Sequence, residues 1–195
     1  MAPFKDFMKK VKEAAEKGLE MAKEAIAIEA LMRDFDEKVA SMIARILVDK
    51  GYRVIGQREV GDYYELRVAV DDLEKVKPII DRDMMKRYSP KDREKIIQVI
   101  PDVLEIRVYY ASKMKAPQTI FPSSAPDDTR VEAYLTYYVE RRGGFFSKVK
   151  RDEHRIHLGS FSFRSSDFVD ADEHRIDEEK LRSYLEEKLR IFGLF

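Results

Sequence analysis

The amino-acid sequence predicts an α+β fold: a mainly antiparallel sheet of about five strands with helices on one face, preceded by a long N-terminal helical arm. Three observations lead there. Residues 3–35 repeat apolar side chains at helical spacing, later segments alternate with period two, and Gly61-Asp62 and Gly143-Gly144 supply reversals between strands.

Phe4, Phe7, Met8, Val11, Ala15, Ala22, Ile26 and Leu31 share one stripe of a helix over 3–35, and Pro3 suits its first turn, where the missing N–H costs nothing. The stripe thins to Ala14, Ala15, Gly18, Ala22 and Ala25 in its middle, so it buries little area and calls for a partner surface. A second helix is expected over 36–50, with a fuller stripe of Val39, Met42, Ile43, Ile46 and Leu47 and a stop at Gly51.

Residues 52–70 read as a hairpin that turns near Gly61-Asp62. Tyr64, Leu66, Val68 and Val70 face one way, Glu65 and Arg67 the other. Asp72 is expected to cap a short helix limited by Pro78. Ser89-Pro90 should open another helix, running through Ile100 and closed by Pro101. Strands are expected over 103–111, 130–142 and 145–163, with a long loop at 113–129. A last helix should begin after Asp177, with Ile176 and Leu181 as its apolar staple and Gly193 as its stop. Two units follow: a helical arm, 1–35, and a single α+β domain, 36–195.

Lys plus Arg equals Asp plus Glu at 37 each, so a globally basic nucleic-acid binder is not indicated and any basic footprint is local. Cysteine is absent, which removes disulfides, thiolate nucleophiles and Cys-based metal sites. Asparagine is also absent, and glutamine occurs only at Gln57, Gln98 and Gln118. Few amides with much Lys, Glu and Arg is a hyperthermophile pattern, and a thermostable protein is expected. No apolar run approaches the ~18 residues of a membrane span and no signal-type apolar segment opens the chain, so a cytoplasmic setting is expected and integral membrane insertion is not.

Catalytic signatures fail in turn. The eight glycines form neither a P-loop nor a dinucleotide fingerprint, and H-E-x-x-H and G-x-S-x-G do not occur. A calcium loop starting at Asp170 would put Arg175 where such a loop needs glycine. Glu65-x-Arg67 and Glu105-x-Arg107 distantly imitate a metal-dependent nuclease, but alternating Glu and Arg on a solvent face, paired across strands, accounts for them better. The pentapeptide Asp-Glu-His-Arg-Ile occurs at 152–156 and again at 172–176. The flanks share no periodic pattern, so the repeat reads as coincidence. His154 has the strand parity of Ile156 and Leu158, with His157 on the opposite face. A metal site would need His154 and His174 to meet through folding. No catalytic residue, metal ligand or cofactor is assigned.

The leading reading is a non-enzymatic interaction or assembly protein. Its contacts would be Phe4, Phe7, Met8 and Val11 of the arm, with Ile120 and Phe121 of the long loop, meeting a protein partner or a second copy. The alternative is RNA or DNA binding by the hairpin 141–151. There Arg141, Arg142, Lys148, Lys150 and Arg151 would contact phosphates, and Phe145 and Phe146 would offer rings for base stacking. A metal-dependent hydrolase ranks third.

Overall fold

A single helix, α1 (Ala2–Asp49), opens the chain where the sequence suggests two. The expected junction at 35–36 contains neither glycine nor proline, so nothing breaks the backbone ladder there. The computed structural model describes residues 2–109, 128–143, 148–170, 173 and 175–195; the side chains of 2–11, 24–34 and 128 lie outside the description. Gly51 ends α1 as expected. It adopts φ 80°, and Tyr52 N–H reaches back to the Leu47 carbonyl at 2.9 Å, satisfying a helix-end acceptor.

Strands β1 (Arg53–Val60) and β2 (Tyr63–Ala69) form the expected hairpin, Val60 pairing with Tyr63 across a Gly61 at φ 60°. The Asp72 side chain accepts the Glu74 N–H and caps only a 3₁₀ turn, Leu73–Lys75. Helix α2 (Lys77–Arg87) then carries Pro78 in its first turn, so this proline begins a helix where a limit was expected.

Ser89 opens α3, but α3 is only Pro90–Arg93. The expected continuation to Ile100 does not form, because those residues belong to β3 (Ile96–Tyr109). Ile96, Ile97, Val99 and Ile100 are β-branched, and pairing with the neighbouring strand outweighs the local helical reading. Pro101 is accommodated because the register shifts between Pro101 and Val103.

With β4 (Asp128–Arg142) and β5 (Val149–Arg164), the sheet is a five-stranded antiparallel meander in the order β1-β2-β3-β4-β5. Opposite Ala133, Gly159 at φ 141° forms a bulge in β5. A short pair, β6 (Val169–Asp170) and β7 (Arg175–Ile176), leads into α4 (Glu178–Leu189), whose first turn is capped by Asp177 accepting the Lys180 N–H. Gly193, left-handed at φ 69°, stops a following 3₁₀ turn, Arg190–Phe192.

The core lies on one face of the sheet. Phe35, Val39, Ile43, Ile46 and Leu47 of α1, with Leu181, Leu185 and Leu189 of α4, pack on Leu66, Val68, Leu104, Ile106, Val131 and Leu135. Each fully buried aliphatic side chain contributes about 1.5–3 kcal/mol. Tyr52 donates to the Leu194 carbonyl at 2.7 Å, tying the last residues to the start of the sheet. Among the described side chains of α1, burial begins at Phe35 and Asp36, where the Thr129 hydroxyl of β4 donates to Asp36.

Candidate functional site

Register brings the first histidine into a polar cluster on the core face. His154 pairs with Tyr137 and Asp152 with Val139, so both side chains face α2. Tyr88, just past α2, places its hydroxyl 2.5 Å from His154 Nε2. It also lies 3.4 Å from an Asp152 oxygen, to which Arg141 Nε donates at 2.7 Å. Beside them the buried Tyr137 hydroxyl donates to Asp83 at 2.8 Å, and Arg87 Nε binds the same carboxylate oxygen at 2.6 Å.

The electrostatics follow from this packing. Burial first, then the Arg87 charge, hold the His154 imidazole below its usual range. Burial alone would raise Asp152, but the bond from Arg141 and the charges of Arg141 and Lys150 outweigh it and lower the carboxyl. Burial, then the bond to Asp83, raises Tyr137. Tyrosine, histidine and aspartate are acid–base residue types, yet here their polar atoms engage one another and fasten α2 to β4 and β5. His157 lies on the opposite face against the Tyr134 ring, 5.0 Å between centroids, as strand parity requires. His174 and Asp172 lie outside the described residues. Among the described residues no three His, Cys, Asp or Glu side chains are grouped to hold a metal ion.

The basic hairpin is divided by the same register. Arg141 and Lys150 both approach Asp152, at 2.7 and 3.7 Å, whereas Arg151 stacks on the Tyr138 ring of the other face at 4.0 Å. Arg142 and Lys148 are exposed, and Phe145 and Phe146 lie outside the described residues. The residue that neutralises two of the predicted cations is the aspartate that opens the first copy of the repeat. Its position directly after Arg151 was the available signal.

The face of the sheet away from the helices carries the expected cross-strand Glu–Arg pairs, interleaved with tyrosines that the sequence reading missed. Glu65 pairs with Arg107 and Arg67 with Glu105 in register, and Glu105 also accepts Arg155 Nη2 from β5 at 2.9 Å. Arginine and tyrosine alternate across the strands. Arg107 lies 4.8 Å from Tyr63 and 5.0 Å from Tyr134, Arg155 lies 4.3 Å from Tyr134, and Arg130 lies 4.5 Å from Tyr109. Tyr63 and Tyr109 share strand parity with the Glu-x-Arg steps of β2 and β3, and Tyr134 and Tyr138 with Arg130 and Glu132 of β4, which is the signal that could have found them.

On the arm, residues 12–23 are all exposed, including Leu19 and Met21 at 60% and 62%. The side chains of Phe4, Phe7, Met8 and Val11, and the loop residues Ile120 and Phe121, lie outside the described residues. Among the described residues no helix is long and apolar enough to cross a membrane. Comparison of the chain with protein-family models, curated proteins and solved structures finds no match.

Proposed function

We propose that this chain is an interaction or assembly protein whose N-terminal helix docks on a partner protein or on a second copy, with Ile120 and Phe121, which precede β4 in the chain, as an additional contact. One observation carries this reading. The helical face that buries Phe35, Val39 and Met42 against the sheet continues, in the same seven-residue register, to Met21, Gly18 and Ala14, which are exposed. An α-helix drifts ~20° per heptad, about 60° over the three heptads between Met42 and Met21, so the exposed stretch continues the buried one as a stripe that winds slowly around the helix. An apolar stripe left in water gains stability when something covers it. A thermostable, intracellular setting fits the cysteine-free, amide-poor composition.

The test keeps the full chain and replaces Gly18→Glu together with Met21→Glu. Light scattering with size exclusion, and pull-down, should show loss of self-association or partner capture while the melting transition is unchanged. A wild-type chain that is monomeric and captures the same proteins as the double variant would defeat the reading.

Nucleic-acid binding is the second reading, and the arginine–tyrosine lattice favours it, since Arg151 on Tyr138 links the hairpin to that open face. Guanidinium groups beside half-buried rings suit phosphates and unstacked bases. Binding of mixed-sequence single strands should then weaken with salt and with Arg142→Ala plus Lys148→Ala. Absence of binding at low salt would exclude it.

A further inference from the structure

Strand β5 ends the sheet. It has 16 residues, pairs only with β4, and among the described residues no other backbone group bonds to its outer edge. Such an edge is a template for another strand. Most of its length is guarded. Lys150, Arg151, Asp152 and Glu153 crowd the first part, and the Gly159 bulge interrupts the ladder further on. The stretch between them, 154–158, remains available.

That stretch borders a groove of about 320 Å³ between β5, α2 and the 3₁₀ turn after α4. Ile79, Ile156, Leu158 and Phe192 give it an apolar lining, while Arg82 and Lys86 of α2 stand at its side. Arg82 and Lys86 are four apart on one helix face and exposed, and among the described residues neither has an acidic partner. Asp83 also lines the groove, but its carboxylate is taken by Arg87 and Tyr137. The groove therefore presents unmet positive charge over apolar surface, beside unmet backbone donors and acceptors.

We propose that this groove binds an extended, acidic segment of a partner protein by adding it to β5 as a further strand. Side chains alternate on a strand, so every second residue of the segment would point toward α2. An apolar side chain there would cover Ile79, Ile156 and Leu158. A carboxylate two residues along, about 7 Å away, would reach Arg82 or Lys86. Main-chain bonds supply the attachment, and the groove and its two cations select the sequence. This contact is separate from the helical arm and stands whether or not the arm self-associates.

The test uses the full chain and a capped, fluorescein-labelled octapeptide of sequence Val-Thr-Glu-Thr-Val-Thr-Glu-Thr, in which valine and glutamate stand two apart on one face, followed by polarisation at tracer concentration. Saturable binding is expected. Arg82→Glu with Lys86→Glu should weaken it tenfold or more and should strengthen binding of the matching valine–lysine peptide. Both positions are exposed, so an unchanged melting transition will confirm that the variant is folded. Methylating alternate amide nitrogens of the probe should abolish binding. Failure of the parent peptide to bind at millimolar protein, equal binding of the methylated probe, or indifference to the charge reversal would each overturn the proposal.

Discussion

The Tyr88 hydroxyl lies 2.5 Å from Nε2 of His154, joining residues 66 apart in the chain. The contact fastens the end of α2 to the edge strand β5. Tyr88→Phe removes the shared proton and leaves a partly buried ring nitrogen without that partner, at a cost of about 1–3 kcal/mol. Urea unfolding of the two proteins measures it. Equal midpoints would mean that the ring nitrogen is satisfied by water.

The same histidine gives stability a pH dependence. Its folded pKa lies below the ordinary 6.5, because burial and the Arg87 charge disfavour the cation, although Asp83 and Asp152 partly offset them. The unfolded chain then binds more protons just below that value. Stability is therefore full above about 6.5 and falls as pH drops toward the folded pKa. Between about pH 7 and about pH 5.5, His154→Gln should unfold with a flatter pH profile than wild type. Asp152, lowered from 3.8, acts in the same direction but only in stronger acid.

Asp83 and Tyr137 should behave as one unit. Tyr137 is fully buried and its hydroxyl donates to Asp83 at 2.8 Å. Asp83→Ala strands that hydroxyl and frees Arg87, whereas Tyr137→Phe removes the need for an acceptor. Each single change is expected to cost about 1–3 kcal/mol. The double change should cost less than the sum by about 0.5 kcal/mol or more, and additive losses would show the two groups to be independent.

Glu105 joins Arg107 of its own strand and Arg155 of β5 across β4. The Arg155 side chain is 44% exposed, so water and salt screen its share. Glu105→Gln is expected to cost only about 0.2–1 kcal/mol, with a larger loss at low ionic strength. Thermal melts at two salt concentrations test this.

Gly159 has φ 141°, and a Cβ there would also stand 3.6 Å from Ile191. The backbone strain, more than the added methyl, sets the expected loss for Gly159→Ala at about 1–3 kcal/mol. Denaturant unfolding measures it. Because the bulge limits the strand edge, backbone amide exchange in β5 should also rise around the substitution.

Much of the fold was legible because its signals are local. Alternation in Leu104, Ile106 and Val108, the Gly61-Asp62 turn, the Asp177 cap and the stop at Gly51 all act through backbone geometry within a few residues. The failures came where a remote partner outweighed a local preference. Residues 96–100 follow a genuine helix start at Ser89, yet β4 supplies cross-strand partners for Ile96, Gln98, Val99 and Ile100 that no local pattern announces.

By itself the sequence determined the α+β class, the helical arm, the parity that separates His154 from His157, and the basic cluster of the hairpin. Each depends on spacing along the chain and on the fixed periods of helix and strand. Only the tertiary structure decided that Asp152 takes up Arg141 and Lys150, that Tyr88 meets His154, and that tyrosines and arginines interleave on the open face. Those contacts depend on strand register and on which helix lies over which strand. Both are set by how the whole chain buries its apolar surface.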